Sequence, residues 1–158
     1  IVSSVSAYRT RYVTVTGGEP LAQRNCHELL RQLCDAGYEV SLETSGALDL
    51  SGVDSRVVRV MDLKTPSSGE CERNLYANIG CLSRRDQVKF VIADREDYEW
   101  SARQVENYHL ADRCEVLFSP SYGQQDAAML AGWILEDHLT VRFQVQLHKI
   151  LWGDEPGR

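Results

Sequence analysis

Segments with a polar–apolar period of two alternate along the chain with segments of helical spacing. Between Tyr12 and Thr16, valines at 13 and 15 alternate with threonines at 14 and 16. Successive side chains of a strand point to opposite faces, and β-branched residues favour strands, so this segment is predicted to be a strand. Five more strands are predicted at 38–43, 56–63, 87–92, 115–119 and 141–148.

Amphipathic segments lie between these strands. Asn25, with Glu28 three residues later, predicts a capping box, and apolar residues then recur at helical spacing from Cys26 to Cys34. Two longer helices are predicted at 95–110 and 124–139. Strands that alternate with helices form parallel β-α units. We therefore predict an α/β fold, either an open parallel sheet or an incomplete parallel (β/α) barrel.

Length and charge predict one domain that binds small ligands. The chain has 158 residues, 43% of them hydrophobic, and no repeat or linker divides it, so residues 1–158 are predicted to form a single domain. A net charge of -6 provides no basic surface for nucleic acid or an anionic membrane. No apolar run approaches the ~20 residues of a membrane-spanning helix, which predicts a cytoplasmic protein. The stretch 65–86 has no clear period beyond a short helix around 73–79.

The five cysteines predict neither a disulfide framework nor a zinc site. They are odd in number, and no two are spaced as a CxxC pair. Free and mostly buried thiols are therefore expected.

Polar motifs follow the predicted strands. The segments TGGEP, LETSG, MDLKTPSSG, SPSYG and HKILWGDEPGR each come at or just after a strand end. Because parallel strands all end on the same side, these segments are expected to meet at the carboxyl face, where α/β sheets and barrels bind ligands.

The turn Gly17-Gly18-Glu19-Pro20 combines open backbone with a negative charge. Two glycines leave main-chain carbonyls accessible, and Glu19 adds a carboxylate, so a cationic amine is a suitable ligand. An ordinary loop explains Gly-Gly followed by Pro equally well. Glu43 and Ser45 in LETSG suit ribose hydroxyls but are also ordinary turn residues.

Four further polar residues have both a functional and a structural interpretation. Asp62 and Lys64 lie two apart in a strand and therefore point to one face, where the lysine can bind a carboxylate or form a Schiff base, or where the two form a structural ion pair. Lys89 is a weaker case of the same kind and is predicted to be structural. His148 is predicted to end the last strand, as a substrate contact or a structural hydrogen-bonding residue.

Six segments in order along the chain resemble the 7-carboxy-7-deazaguanine synthase family of radical S-adenosylmethionine enzymes. They are VTVTGGEPLAQ, LETSGAL, DLKTPSSGE, DQVKFVI, LFSPSYG and RFQVQLHKILWGDEPGR. The resemblance runs from about Tyr12 to Arg158. It implies a radical-enzyme barrel in which Gly17, Gly18, Glu19 and Pro20 receive the amino group of S-adenosylmethionine. It also implies that the pocket of that cofactor is lined by Asp62, Leu63, Lys64, Ser119, Pro120, Ser121 and Tyr122, with Glu43 and Ser45 near its ribose. Thr16 and the terminal carboxylate of Arg158 are implied to face the substrate, in addition to His148 at the predicted strand end.

The family reaction converts 6-carboxy-5,6,7,8-tetrahydropterin to 7-carboxy-7-deazaguanine with loss of ammonia, on the pathway to queuosine. The resemblance implies S-adenosylmethionine, a [4Fe-4S] cluster and Mg2+ as cofactors. It further implies a homodimer and a reductant such as flavodoxin.

The chain departs from this family at its amino-terminal end. The family's three cluster cysteines, two of them spaced as CxxC, and its Gln-Gly-Glu-Gly stretch are absent, and the chain starts at Ile1. We therefore expect that the first strand and the cluster loop are missing and that these 158 residues cannot generate the radical. Two alternatives are a Schiff-base lyase that uses Lys64 or Lys89, and a non-catalytic nucleoside-binding module.

Overall fold

A computed structural model describes residues 1–153 of the chain. In these residues six strands form one sheet in which every neighbouring pair is parallel and the spatial order equals the chain order. The strands are β1 (Tyr12–Val15), β2 (Glu39–Thr44), β3 (Val58–Asp62), β4 (Gln87–Ile92), β5 (Glu115–Pro120) and β6 (Arg142–Phe143). The predicted fold class, an incomplete parallel (β/α) barrel, is confirmed.

Helices precede β1, follow β6 and connect β1 to β2, β4 to β5 and β5 to β6, whereas β2 runs to β3 through residues 45–57 without a helix and β3 runs to β4 through 3-10 turns. The helices are α1 (Val2–Ser6), α2 (Cys26–Asp35), α3 (Arg95–Asn107), α4 (Leu110–Arg113), α5 (Ala127–Glu136) and α6 (Leu147–Trp152), with 3-10 turns at Pro20–Ala22, Pro66–Ser68, Cys71–Arg73 and Tyr76–Cys81. No helix within residues 1–153 is long and apolar enough to cross a membrane.

Alternation along the strands separates an apolar face from a polar one. In β4, Val88, Phe90 and Ile92 are fully buried in the core, whereas Gln87 and Lys89 are partly exposed. Asp62 is the register partner of Lys89, so both side chains lie on the polar face. The same face carries the site described below.

Four local predictions need correction. The capping box is wrong: Asn25 makes no side-chain cap, and the Glu28 carboxylate accepts hydrogen bonds from Arg31 and Gln32 instead. The predicted helix 95–110 is interrupted because His109 adopts a left-handed conformation with φ 49°. The predicted helix 124–139 is shorter, since Asp126 caps its amino end and the helix ends at Glu136.

The fourth correction concerns the last strand. β6 ends at Phe143 rather than at residue 148, and His148 lies in helix α6 and is exposed. The Gln144 N–H still donates to the carbonyl of Phe118 at 2.9 Å, but the neighbouring strand ends in Pro120, which has no N–H to continue the ladder.

Candidate functional site

The predicted carboxyl-face motifs border two adjacent clefts. The first is lined by Thr16, Gly17, Gly18, Glu43, Thr44, Ser45, Val60, Asp62, Lys64 and Lys89. The second shares Asp62 and Lys64 with the first and extends to Thr65, Ser67, Ser68, Val91, Ala93, Asp97, Ser121 and Gln124. The Asp62–Lys64 pair therefore forms the boundary between the two clefts.

The Gly17-Gly18 turn is shaped by its backbone. Both residues have positive φ, +98° and +53°, which favours glycine at both positions. A Cβ at either position would have no atom within 4 Å, so the space beside the turn is open. The turn thus presents its main-chain groups to the first cleft without side chains in front of them.

The Glu19 carboxylate holds the turn to the end of β2. It accepts hydrogen bonds from the Leu21 N–H at 3.1 Å, from the Thr44 hydroxyl at 2.9 Å and from both the N–H and the hydroxyl of Ser45. Both carboxylate oxygens are engaged in this way. The acceptors that remain for an amine at this turn are its main-chain carbonyls rather than the carboxylate that the sequence suggested.

These contacts shift the ionisation of Glu19. Burial alone would raise the pKa of the carboxyl, but the hydrogen bonds from Ser45, Leu21 and Thr44 outweigh burial and hold the pKa below its usual value of about 4.5. The ionised form therefore links the glycine turn to β2.

A depressed pKa predicts a loss of stability in acid. Glu19 contributes stability above its unfolded pKa of about 4.5, and this contribution disappears as the pH falls through the lower folded pKa. The difference in unfolding free energy between the wild type and Glu19→Gln should be full at pH 7 and should shrink below about pH 4.5. Urea denaturation across pH 3–7 measures it. Ser45→Ala should raise the folded pKa of Glu19, so the loss should be smaller and should be complete at a higher pH; a pH-independent difference would contradict the prediction.

Thr16, which directly follows β1, lies beside Glu43 of β2. The Thr16 hydroxyl donates to Glu43 Oε2 at 3.2 Å, and both residues are exposed on the first cleft. The second carboxylate oxygen of Glu43 accepts no hydrogen bond within the described residues.

Asp62 and Lys64 form a half-buried ion pair. Lys64 Nζ lies 2.9 Å from Asp62 Oδ2, and the side chains are 32% and 21% exposed, respectively. Asp62 Oδ1 is buried and has no hydrogen-bond partner within the described residues. A buried acceptor without a partner is unfavourable, so this oxygen is available to a donor group of a ligand. An ammonium already paired with a carboxylate is poorly suited to Schiff-base formation, which weakens the lyase alternative.

Lys89 belongs to the site although the sequence predicted a structural role. It lines the first cleft beside Asp62, and no hydrogen bond or ion pair to its side-chain ammonium occurs among residues 1–153. Its cation is thus available for an anionic group. The signal was present in the sequence, since Gln87 and Lys89 are the polar positions of an otherwise apolar strand, but only the register with β3 places Lys89 at the cleft.

The end of β5 contributes one side of the second cleft. Ser121 lines this cleft, and its N–H donates to the Ile92 carbonyl at 2.7 Å. Ser119 and Pro120 are buried in the strand, and Tyr122 is 52% exposed, with Lys149 Nζ 5.9 Å from its ring centroid. Of the four predicted pocket residues at this strand end, Ser121 borders the second cleft, whereas Ser119, Pro120 and Tyr122 line neither of the two clefts within residues 1–153.

Other predicted site residues lie elsewhere. The Leu63 side chain is fully buried in the hydrophobic core, and Pro20 is buried under the turn, so neither side chain faces the two clefts. His148 is exposed on α6, as described above. Arg158 lies outside the described residues.

The cysteines do not form a cluster site. All five are free, and no group of three or more potential ligands from His, Cys, Asp or Glu comes together within residues 1–153. Burial raises the pKa of Cys114 to about 11 and also raises the pKa of Cys26 and Cys71, which disfavours the thiolate. These residues therefore do not fit an iron-sulfur cluster.

Comparison with known proteins places the chain in a family. No family model matches it. The 7-carboxy-7-deazaguanine synthase of Chlorobaculum tepidum is 40% identical over 158 residues, covering 98% of this chain and 72% of that protein.

Two solved structures share the fold. QueE from Escherichia coli superposes with a TM-score of 0.70 at 18% identity, covering 92% of this chain and 60% of that one. Streptococcus suis SuiB, solved bound to S-adenosylmethionine, superposes with a TM-score of 0.59 at 12% identity, covering 85% of this chain and 38% of SuiB. At these identities the two likenesses describe the fold alone. The 40% identity over 72% of the Chlorobaculum tepidum protein establishes more: the chain belongs to the 7-carboxy-7-deazaguanine synthase family.

Proposed function

We propose that the chain forms the S-adenosylmethionine-binding and substrate-binding part of a 7-carboxy-7-deazaguanine synthase. The reaction is conversion of 6-carboxy-5,6,7,8-tetrahydropterin to 7-carboxy-7-deazaguanine with loss of ammonia, in the biosynthesis of queuosine and related 7-deazapurines. Residues 1–158 are proposed to form one partial-barrel domain.

The observation that carries the proposal is the arrangement of complementary groups around one cleft. An amino acid presents an ammonium and a carboxylate. The first cleft is lined by the side-chain-free Gly17-Gly18 turn, whose main-chain carbonyls can accept from an amine, and by the cations of Lys64 and Lys89. This pattern suits the methionine part of S-adenosylmethionine, and the presence of a relative that is named a synthase supports it.

Each wall of the cleft has a distinct role in the proposal. The turn carbonyls receive the amino group, while Glu19 holds the turn rather than contacting the ligand. Glu43 and Ser45 lie where ribose hydroxyls can reach them, Thr16 borders the space for the substrate, and the second cleft with Ser121 extends the site past Lys64. S-adenosylmethionine, when bound and cleaved, supplies the radical that removes a hydrogen atom from the substrate.

The proposal also includes components that the family resemblance implies. These are a [4Fe-4S] cluster whose ligands are not among the residues of this chain, Mg2+ at the substrate carboxylate, a homodimer, and a reductant such as flavodoxin. Mg2+ prefers oxygen ligands, which an anionic heterocycle provides.

The test of the reaction uses the full gene product that contains these residues. Purified anaerobically with its cluster reconstituted, it should convert 6-carboxy-5,6,7,8-tetrahydropterin to 7-carboxy-7-deazaguanine, detected by chromatography and mass spectrometry, and should form 5'-deoxyadenosine. Borohydride reduction should trap no substrate on Lys64 or Lys89. A trapped lysine adduct without 5'-deoxyadenosine would support a Schiff-base lyase instead.

A second experiment addresses residues 1–158 alone. We expect this polypeptide, after anaerobic treatment with iron and sulfide, to hold no [4Fe-4S] cluster and to leave S-adenosylmethionine intact, because its cysteines are dispersed through the fold. Absorption spectra and 5'-deoxyadenosine measurement check this, with the full gene product as the positive control. Cleavage by the 158 residues would refute the proposed division of the site.

A further inference from the structure

Two buried asparagines lie between β3 and β4, in a stretch for which the sequence predicted no function. Asn74 is 8% exposed and Asn78 is 1% exposed, and they lie four residues apart along the 3-10 turns of this connection. A buried amide group requires hydrogen-bond partners. Both side chains find these partners in the loops that line the first cleft.

Asn74 binds both main-chain groups of Lys64. The Lys64 N–H donates to Asn74 Oδ1 at 2.9 Å, and Asn74 Nδ2 donates to the Lys64 carbonyl at 2.9 Å. This paired contact resembles that of a neighbouring strand and holds the backbone of Lys64 just past the end of β3. It therefore sets the point from which the Lys64 side chain reaches Asp62.

Asn78 binds the loop that follows β2. Its Nδ2 donates to the carbonyls of Gly46 at 2.9 Å and Leu48 at 2.8 Å, and its Oδ1 accepts from the Leu50 N–H at 3.0 Å. Three of the hydrogen bonds available to one amide side chain are thus made to a single loop. The Leu75 N–H adds a further bond to the Gly46 carbonyl at 3.2 Å.

Both anchored loops continue directly into the cleft walls. The Gly46 N–H donates to the Thr44 hydroxyl, which in turn donates to Glu19, so Asn78 is connected to the glycine turn. Asn74 is connected through Lys64 to the ion pair with Asp62. The short segment from Asn74 to Asn78 therefore holds two walls of the same cleft: the wall with Lys64, which suits an anionic group, and the wall with the glycine turn, which suits an amine.

We propose that Asn74 and Asn78 are positioning residues that fix the distance between the Glu19–Thr44–Ser45 wall and the Lys64 wall of the S-adenosylmethionine cleft. The inference deepens the proposed function and depends on it for the identity of the ligand. Asn74 acts on the ligand through Lys64, and Asn78 acts through the loop of Gly46.

The ligand-binding test uses the cluster-loaded full gene product and S-adenosylmethionine as the probe. Asn74→Asp keeps the acceptor for the Lys64 N–H but places a carboxylate oxygen against the Lys64 carbonyl, so the Kd should rise about tenfold. Because Asn74 acts through Lys64, adding Asn74→Asp to Lys64→Met should change the Kd less than twofold beyond Lys64→Met alone. If Asn74→Asp raises the Kd as much in the Lys64→Met background as it does in the wild type, the positioning role is overturned.

A matched control separates positioning from general stability. Asp86 is 1% exposed and accepts hydrogen bonds from the Arg59 N–H at 2.7 Å and from Ser83, far from the two clefts. Asp86→Asn should lower the Tm without changing the Kd in the folded protein. If the Kd rises as much in Asp86→Asn as in an asparagine variant with the same loss of Tm, the proposal is overturned.

The joint hold of Asn74 and Asn78 on the two loops is called the asparagine clamp. Hydrogen exchange of the protein without ligand tests this clamp independently of the proposed function. In Asn78→Leu, exchange should rise at the Leu50 amide, which loses its acceptor, and also at Lys64, since one segment holds both loops; a rise confined to Leu50 would overturn the clamp. If the wild type does not bind S-adenosylmethionine while exchange rises at both loops, the proposed function fails and the clamp is supported. If binding occurs but neither asparagine variant changes the Kd, the clamp fails and the proposed function is retained.

Discussion

Gly46→Ala is expected to destabilise the protein by about 2–5 kcal/mol. Gly46 is buried with φ +71°, and a Cβ there would lie 2.7 Å from Cγ of Met61, a residue with no exposed surface. A left-handed alanine costs about 1–2 kcal/mol, and overpacking of a full core costs about 1–3 kcal/mol. Chemical denaturation measures the change, and because Gly46 adjoins Thr44 and Ser45, binding of S-adenosylmethionine should weaken as well.

Gly69→Ala provides a control with nearly the same backbone. Gly69 has φ +70°, and a Cβ there would meet no atom within 4 Å. Gly69→Ala should therefore lower the free energy of unfolding only by the cost of the left-handed conformation, about 1–2 kcal/mol. The difference between the two variants isolates the clash with Met61. Equal destabilisation of both variants would show that Met61 moves aside without cost.

Lys64→Met is expected to raise the Kd of S-adenosylmethionine by about tenfold to a hundredfold, or about 1.4–2.8 kcal/mol. The change removes a cation from the cleft and leaves the Asp62 carboxylate without its partner at 2.9 Å. A ligand carboxylate would then meet a negative charge instead of a positive one. Isothermal titration calorimetry of the cluster-loaded full gene product measures the change.

Two companion variants make this result interpretable. Asp62→Asn combined with Lys64→Met removes the uncompensated carboxylate, and its Kd should lie between those of the wild type and Lys64→Met. Arg142→Met breaks an exposed ion pair with Glu115 at 3.2 Å on the same sheet, away from both clefts, and should leave the Kd unchanged. Wild-type affinity in Lys64→Met would remove Lys64 from the site.

The order of the elements was predictable because it depends on local periodicity. The predicted strand 87–92 coincides with β4, and the predicted strands at 38–43 and 115–119 differ from β2 and β5 by one residue at their ends. Alternating apolar residues mark a strand wherever one face is buried. The error at 141–148 arose because strand length also depends on the neighbouring strand, which here ends in a proline.

The site was predictable in its location but not in its contacts. Glycines, carboxylates and lysines after successive strands were expected to gather at one edge, and the structure brings Gly17, Glu43 and Asp62 to one cleft. The direction of Glu19 was not predictable, because its partners Thr44 and Ser45 lie about 25 residues along the chain. The asparagine clamp was not predictable either, because an asparagine in a loop gives no periodic signal and its partners are distant in the chain.

The sequence by itself thus determined the class of fold, the edge of the sheet that carries the chemistry, and the choice of glycine in the turn, because strand period, parallel connection and backbone torsion are local properties. The tertiary structure alone decided that Glu19 supports the turn, that Lys89 faces the cleft beside Asp62, and that Asn74 and Asn78 hold the two walls. These roles depend on strand register and on hydrogen bonds between residues that are separated in the chain. Such contacts exist only when the sheet has formed.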